Sequence, residues 1–360
     1  MARQPNSIDF WRGVALVTIF VNHIPGIWFE RITHRNFGFS DSAELFVFLA
    51  GWSLRLAVGT DAPKESTLPL AIRLGGRAMT LYAAQIVITM LALAMIAATA
   101  LYLDNPLILD WHNADAVFRE PTTAHIGLVL LTHQLGYFDI LPLYVVLIAL
   151  APLIMIIDRL APKILFPLSF AIYLGALIFH LNAPTWPVPG EWYFNPFTWQ
   201  FIYILGFQIP KLLAPGRPLG RALPWLRWPA IAFLLISLWA WRTYTMPDPS
   251  LVPEPTYLFI VDKTYATPLR VIHLLALCAA FVAVYSGIIR YFPMLARFGS
   301  MLGRNSLYVF CVGSLLSLAG QLVRVAFPVS LTLDLLVVLA GVTLMWMTAW
   351  FSEARERLQR

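Results

Sequence analysis

Residues Ala78–Leu101 read AMTLYAAQIVITMLALAMIAATAL, which is 24 consecutive positions without a charged side chain. A helix needs roughly 20 mostly apolar residues to cross a hydrocarbon core about 30 Å thick. The run is therefore long enough for a membrane-spanning helix. A transmembrane β-strand would instead alternate apolar and polar positions. We predict an all-α membrane protein.

The rest of the chain repeats this pattern. Hydrophobic residues make up 59% of the 360 positions and charged residues 12%, against about 25% charged in an average soluble domain. Mean hydropathy is +0.72, which excludes a soluble globular protein. About ten spans are predicted, namely the run from Val14, Ser42–Val58, Ala78–Leu101, Ile140–Ile157, Ile164–Leu181, Thr198–Leu213, Trp228–Tyr244, Pro268–Ile289, Asn305–Val323 and Thr332–Ser352.

The distribution of basic residues predicts the orientation. An even number of spans places both termini on one side, and Lys and Arg concentrate on the cytoplasmic side. With both termini cytoplasmic, that side receives 18 of the 25 basic residues. The cytoplasmic set is Arg3, Arg12, Arg55, Lys64, Arg73, Arg77, Arg159, Lys163, Lys211, Arg217, Arg221, Arg227, Arg290, Arg297, Arg304, Arg355, Arg357 and Arg360.

The chain is predicted to be one integral-membrane domain over residues 1–360. Its two cysteines, Cys278 and Cys311, lie inside apolar runs, so neither a disulfide framework nor a metal site is expected. The net charge of +6 comes from basic residues scattered between apolar runs, which does not indicate nucleic-acid binding. The bilayer is the expected environment.

The first helix carries three ionisable residues, Asp9, Arg12 and His23. At 100° per residue they lie within about 60° of one another and form a stripe along one face. Charged groups inside a membrane are costly and by default mark function. His23 lies about 17 Å along the axis from Arg12, so Asp9 and Arg12 belong to the cytoplasmic end and His23 to the outer half.

Glu44 is the nearest acid to His23 by predicted topology, because it stands in the first turn of the second helix. A carboxylate that hydrogen-bonds an imidazole raises its basicity and fixes its tautomer, as general-base catalysis requires. Asp41 and Asp262 are alternative partners. His23 is equally consistent with an interhelical hydrogen bond, and Glu44 with a favourable charge at a helix N-terminus. Ser40 and Ser42 are interpreted as helix caps.

Arg73 and Arg77 open the third helix four residues apart, which makes them neighbours on one face. Two such guanidinium groups can bind phosphates bidentately. Juxtamembrane arginines are also common as topology anchors. Gly75 and Gly76 between them would allow a bulky ligand to approach closely.

Polar side chains also collect on the predicted outer side, among aromatic residues. Aromatic faces combined with planar polar groups are typical of carbohydrate binding, although an interfacial aromatic belt gives a similar composition. Arg270 and His273 are three residues apart and face one way. The candidate acceptor-binding residues are Asp139, Asn195, Trp199, Gln200, Asp262, Lys263, Arg270 and His273.

Two further function classes fit a polytopic membrane protein. One is a transporter of an anionic solute, which usually shows internal repeat symmetry. No convincing repeat is visible in the sequence. The other is a structural scaffold, for which charges along the first helix would be unnecessary.

The sequence resembles the OpgC family of glucan-succinylating membrane proteins. The likeness begins with IDFWRG at Ile8–Gly13, NHIP at Asn22–Pro25 and GFSDSAELFVFLAG at Gly38–Gly51. It continues through His133-Gln134, Asp139–Tyr144, Phe194–Gln200, Asp262-Lys263, Arg270, His273 and Gly303–Leu307. More distantly the chain is similar to the acyltransferase-3 superfamily of ten-helix membrane proteins. An Arg and a His eleven residues apart, followed by Arg-x-x-x-Arg, are characteristic there, and Arg12 with His23 and Arg73 with Arg77 match both elements.

This resemblance implies transfer of an acyl group, expected to be succinyl, from cytoplasmic acyl-coenzyme A to hydroxyls of osmoregulated periplasmic glucans. The protein would lie in the bacterial inner membrane, with acyl-coenzyme A as co-substrate and no permanently bound cofactor or metal. His23 and Glu44 would be catalytic, and Arg12, Arg73 and Arg77 would bind the donor. The acceptor hydroxyl could attack the thioester directly with His23 as general base. A covalent acyl-histidine is the alternative.

Overall fold

The structure is a computed structural model that describes residues 4–59, 66–214 and 216–359. Three of the basic residues assigned to the cytoplasmic side, Arg3, Lys64 and Arg360, lie outside these ranges. The fold is 77% helical. Its one small sheet pairs β1 (Pro184–Thr185) with β2 (Gly190–Glu191) in antiparallel register, Pro184 opposite Glu191. The prediction of an almost entirely helical protein is confirmed.

The helices follow the apolar runs closely. Within the described ranges the α-helices are α1 (Ser7–Asn22), α2 (Ser42–Val58), α3 (Thr67–Tyr102), α4 (Asp115–Arg119), α5 (Pro121–Val129), α6 (Ile140–Leu160), α7 (Pro162–Phe179), α8 (Pro196–Leu212), α9 (Pro218–Arg242), α10 (Pro268–Phe281), α11 (Val284–Tyr291), α12 (Pro293–Arg304), α13 (Ser306–Ala326) and α14 (Leu331–Leu358). Short 3-10 helices cover Trp28–Ile32, His34–Phe37, Pro106–Asn113 and Thr256–Leu258.

Local sequence signals set the helix starts. Proline is the first residue of α5, α7, α8, α9, α10 and α12, where its fixed φ suits a helix and its missing N–H costs nothing. Asp41, rather than the predicted Ser40 or Ser42, caps α2 and forms a capping box with Glu44. Asn195 caps α8 by accepting a hydrogen bond from the Phe197 amide at 3.0 Å. Arg73 and Arg77 lie inside the first third of α3, not at its start.

Six helices are long and apolar enough to cross a membrane by length and composition: α3, α6, α7, α9, α13 and α14. The predicted span Pro268–Ile289 falls on two helices, α10 and α11, which are bent by 46° and together form either one broken span or a re-entrant segment. The bend lets α11 pack against α12 while α10 packs against α9. Helices α1, α2 and α8 have 16, 17 and 17 residues, or about 24–26 Å at 1.5 Å per residue. The count of ten spans therefore stays a prediction.

The short helices form the centre of the bundle. Helix α1 packs against α12, α2 and α13, whereas α2 packs against α8 and α3 against α6. Fully buried aromatic side chains fill the interior, including Phe20, Phe48, Trp199, Tyr203 and Phe207. We call the end of the bundle that holds His23, Asp41, Asp139 and Lys263 the histidine end. The opposite end, which holds Asp9, Arg73 and Arg77, is the arginine end.

A buried ion pair ties three of these helices together. Arg55, assigned from sequence to cytoplasmic anchoring, is 1% exposed and forms a bidentate pair with Asp158 of α6 at 2.7 and 2.9 Å. Its Nε donates to the Phe207 carbonyl of α8 at 2.9 Å, and the guanidinium lies 3.6 Å from the Phe207 ring centroid. Arg55 therefore positions α2 against α6 and α8.

Candidate functional site

His23 stands at the C-terminal cap of α1, where the helix ends two residues before Pro25. Its carbonyl accepts a hydrogen bond from Gln321 Nε2 at 2.5 Å, and its ring packs on Tyr137 with centroids 4.9 Å apart. Neither ring nitrogen hydrogen-bonds to any residue in the described ranges, and Nδ1 is buried. The imidazole is thus held by its backbone and by packing, which leaves its nitrogens available for a ligand.

Tyr137, His112 and Gln321 complete the surroundings of His23, and sequence reasoning missed all three. The His112 ring lies 5.2 Å from the Tyr137 ring, and its Nε2 donates to Gln321 Oε1 at 2.8 Å. His112 and Tyr137 both adopt left-handed backbone conformations, with φ of 57° and 67°. Burial lowers the pKa of His112, although its hydrogen bond with Gln321 opposes the shift. His112 is therefore a neutral group beside His23.

Glu44 does not contact the His23 ring. One Glu44 oxygen binds the Arg270 guanidinium, with Nε at 2.6 Å and a second contact from Nη2, and the other accepts the Asp41 amide at 2.9 Å. Arg270 and the capping box use both oxygens of this buried carboxylate. The predicted pairing of Glu44 with His23 is thus absent from the structure, because a guanidinium is the stronger partner for a buried carboxylate.

Asp41, Glu44, Lys263 and Arg270 form a four-charge cluster at the histidine end. Lys263 Nζ lies 2.7 Å from Asp41 Oδ2, and Arg270 Nη2 lies 3.6 Å from the same oxygen. Burial would raise the pKa of Asp41, but Lys263 and Arg270 outweigh it and hold this pKa well below its usual range. Burial would lower the pKa of Lys263, and Asp41 reverses that effect and raises it. Asp41 and Lys263 are therefore both held in their charged forms.

Asp139 and His23 lie in the electrostatic field of this cluster. Lys263 acts on both, and Asp41, Arg35 and His112 act on His23 as well. Asp139 precedes α6 without capping it by a side-chain hydrogen bond. Burial raises its pKa to about 6, against the opposing effect of Lys263. The histidine end thus brings together an imidazole, a carboxyl group of low acidity and a paired ammonium.

Several predicted acceptor-binding residues instead hold the fold together. Trp199 is fully buried, and its Nε1 donates to the carbonyls of Lys263 and Thr264 at 3.2 and 3.1 Å. His273 Nδ1 lies 2.7 Å from Ser40 Oγ, so this ring nitrogen already has a partner in the protein. Three more of these residues also bond within the protein. Asn195 donates to the Leu181 carbonyl, Gln200 bonds to Ser169 of α7, and Asp262 accepts a hydrogen bond from the Tyr265 amide.

Arg12 joins α1 to two neighbouring helices nearer the arginine end. Its guanidinium donates to the Leu49 carbonyl at 3.3 Å, to Ser53 Oγ and to the Gly303 carbonyl at 3.3 Å. Asp9 lies 3.4 Å away across one helical turn. The predicted stripe therefore brings Asp9 and Arg12 together, while His23 lies at the far end of the same helix.

Arg73 and Arg77 are exposed on α3, as the predicted phosphate-binding role requires. A Cβ added to Gly75 or Gly76 would meet no atom within 4 Å, so the space beside both glycines is open. Arg77 acts electrostatically on Arg12, Tyr144 and Tyr203. The arginine end thus exposes two guanidinium groups, and that of Arg77 lies within electrostatic range of three buried side chains of the bundle.

Comparison with known families matches this chain over almost its whole length. A family model described as OpgC protein covers residues 3–357. The chain belongs to the OpgC family. No curated protein gives a significant match. OpgC proteins are bacterial, and membership implies a transferase that acts on glucans. The apolar helices make this OpgC protein a membrane protein.

Proposed function

We propose that this OpgC protein is an O-acyltransferase of the bacterial inner membrane. It moves an acyl group, most simply succinyl, from cytoplasmic acyl-coenzyme A to a hydroxyl of a periplasmic glucan. The bilayer surrounds about ten spans, and acyl-coenzyme A is a co-substrate rather than a bound cofactor. Family membership over residues 3–357 supports the glucan substrate class.

The observation that carries this proposal is the state of the His23 imidazole. Most polar side chains predicted around it are used by the protein itself, whereas neither His23 ring nitrogen bonds to any part of the described chain. A general base needs a nitrogen within hydrogen-bond reach of the proton that it removes. His23 meets this requirement as soon as an acceptor hydroxyl occupies the space beside it.

In the proposed reaction, the glucan hydroxyl oxygen attacks the thioester carbonyl carbon while an imidazole nitrogen of His23 takes the hydroxyl proton. Collapse of the tetrahedral intermediate forms the ester bond and breaks the carbon–sulfur bond. The coenzyme A thiolate then receives the proton from the imidazolium. A transient acyl-histidine followed by transfer to the same hydroxyl gives the same products.

In this scheme the arginine end binds the donor and the histidine end carries out the acyl transfer. Arg73 and Arg77 bind the donor phosphates at the arginine end, and Arg12 of α1 lies within electrostatic range of Arg77. His23 is about 17 Å from Arg12 along α1, a distance of the order of an extended pantetheine arm. The donor thioester therefore reaches His23 without the sugar crossing the membrane.

The free carboxylate of a succinyl group would lie at the histidine end. Lys263 is better placed to receive it than Arg270, because the Lys263 side chain is 26% exposed and the Arg270 side chain 9%. Arg270 is also bound to Glu44. We therefore assign acyl-carboxylate recognition to Lys263.

The test is mass spectrometry of periplasmic glucans from cells that lack this gene. Complementation with the wild-type gene is expected to restore an acyl mass increment, whose value identifies the donor. His23→Ala is expected to reduce the increment at least a hundredfold, the usual scale of general-base loss. His125→Ala is the matched control, since His125 is exposed and its Nδ1 contacts only the Pro121 carbonyl of its own helix.

Full acylation by a stably expressed His23→Ala protein would contradict the catalytic role of His23. Unchanged glucans after wild-type complementation would contradict the substrate class, and transport of an anionic solute would then be tested. The purified protein distinguishes the two classes further. An acyltransferase releases free coenzyme A when acceptor is present, whereas a transporter does not.

A further inference from the structure

Tyr203 of α8 has a buried hydroxyl group without a partner. Its side chain is 0% exposed, and its oxygen makes no hydrogen bond within the described ranges. Burying a hydroxyl without a hydrogen bond costs free energy that folding does not recover. Such a hydroxyl is free to donate a hydrogen bond to a ligand that enters the bundle.

Two other interior tyrosines donate hydrogen bonds from their hydroxyl groups to backbone carbonyls. Tyr144 of α6 donates to the Phe46 carbonyl at 2.7 Å, and Tyr173 of α7 donates to the Ala266 carbonyl at 2.9 Å. Tyr203 makes no such bond, and its backbone packs closely against α2. A Cβ on Gly51 would collide with the Tyr203 carbonyl. The close contact fixes the position of Tyr203 in the bundle.

Tyr203 lies beside an unpaired cation. Arg77 acts electrostatically on Tyr203, and both Arg77 and Tyr203 act on Tyr144. Arg12 belongs to the same group, but its guanidinium is occupied by Leu49, Ser53, Gly303 and Asp9. Arg77 makes no hydrogen bond or ion pair with any described residue. Helix α3 therefore contributes a free guanidinium at the arginine end, and α8 contributes a free hydroxyl in the interior within electrostatic range of it.

The depth of Tyr203 suits the middle of an extended ligand. It is the eighth residue of α8, which starts at the histidine end and has 17 residues. It therefore lies about 10 Å from one end of the helix and about 13 Å from the other. A donor bound at Arg77 whose thioester reaches His23 must pass this depth.

We infer that the Tyr203 hydroxyl donates a hydrogen bond to an amide carbonyl oxygen of the pantetheine arm of acyl-coenzyme A. This inference rests on the proposed function. Besides one hydroxyl group, the arm carries two amides, whose carbonyls need hydrogen-bond donors inside a membrane protein. Tyr203 is thus a donor-binding residue that sets the depth of the thioester, while Arg77 binds the phosphates.

The experiment measures coenzyme A binding to the full-length protein in detergent by calorimetry. Tyr203→Phe is expected to raise the Kd for coenzyme A about three- to tenfold, the effect of one neutral hydrogen bond. Its melting temperature is expected to stay the same or rise, because the lost hydroxyl has no protein partner. Tyr173→Phe is the matched control, with unchanged Kd and a lower melting temperature.

Adenosine 3′,5′-bisphosphate, which lacks the pantetheine arm, distinguishes the arm from the phosphates. Its Kd is expected to be equal for the wild type and Tyr203→Phe, and equal weakening of both ligands would move the contact to a phosphate and overturn the inference. An unchanged Kd for coenzyme A would overturn it too, as would a Tyr203→Phe protein that fails to fold. If the wild type binds no coenzyme A, the proposed function itself fails.

Discussion

Asp139 is a carboxylic acid whose surroundings favour its neutral form. Burial raises its pKa from 3.8 to about 6 even though Lys263 favours the charged form. The Lys263 ammonium is already paired with Asp41 at 2.7 Å. Desolvation therefore decides the protonation state of Asp139. Between pH 4 and pH 6 the folded protein binds a proton here that the unfolded chain releases.

We predict that this proton makes stability depend on pH. A raised folded-state pKa contributes stability that is complete below pH 4 and is lost as the pH rises through about 6. Asp139→Asn removes the titration, so the melting temperature of the wild type should fall relative to this variant between pH 4.5 and pH 7.5. Thermal melting in buffered detergent measures the difference. The exposed Asp104→Asn is the control, and parallel curves for all three proteins would refute the prediction.

At the scale of elements, α2 and α8 depend on backbone contact. Gly51 of α2 faces the Tyr203 carbonyl, and Gly206 of α8 faces the Phe48 carbonyl. Small residues let membrane helices approach closely, and van der Waals packing then stabilises the pair. Arg55 reinforces the contact by donating to the Phe207 carbonyl at 2.9 Å. This pair of helices therefore has little freedom to separate.

Gly206→Ala should destabilise the protein, because a Cβ at this position would overlap the Phe48 backbone. Overpacking of this kind costs about 1–3 kcal/mol. Gly175→Ala of α7 is the matched control, since nothing lies within 4 Å of its Cβ position. That change should be neutral or stabilise by about 0.5–1 kcal/mol through helix propensity. Melting temperatures measure both effects, and equal values for the two variants would exclude this role for Gly206.

At the scale of the molecule, both ends of the described chain lie at one end of the bundle. Ser300 of α12 donates to the Asn6 carbonyl at 3.2 Å just before α1. Arg304, at the end of the same helix, pairs with Glu353 of α14 at 2.7 Å. Helix α12 thus contacts both the first and the last helix. This arrangement agrees with an even number of crossings.

We predict that both ends face the cytoplasm, as the excess of Lys and Arg indicates. Gln4→Cys and Gln359→Cys, each in a Cys278→Ala, Cys311→Ala background, should react with a membrane-impermeant maleimide only after spheroplasts are permeabilised. Ser250→Cys, in the exposed connection after α9, should react in intact spheroplasts. Labelling of Gln359→Cys before permeabilisation would reverse the orientation or change the span count.

The sequence by itself determined the class of the protein and the places of most helices. Long apolar runs have no stable alternative to helices in a bilayer, so Ser42–Val58 was predicted with the bounds that α2 has. The spacing along one helix also predicted that Asp9 lies near Arg12, because residues three apart share a helix face. The motifs around His23 identified the family, since they are local strings of residues. The break between α10 and α11 escaped prediction because the sequence stays apolar across it.

Only the tertiary structure decided which side chains meet across helices. Glu44 binds Arg270, 226 positions away, and Gln321 binds the His23 carbonyl from 298 positions away. Helical periodicity constrains neighbours on one helix and carries no information about such distant pairs. Trp199, Asn195 and Gln200 have the composition of a sugar site, yet packing uses their polar atoms inside the protein. Whether a side chain is available to a ligand depends on what the fold packs against it. For this reason only the tertiary structure shows that polar atoms of His23 and Tyr203 have no hydrogen-bond partner.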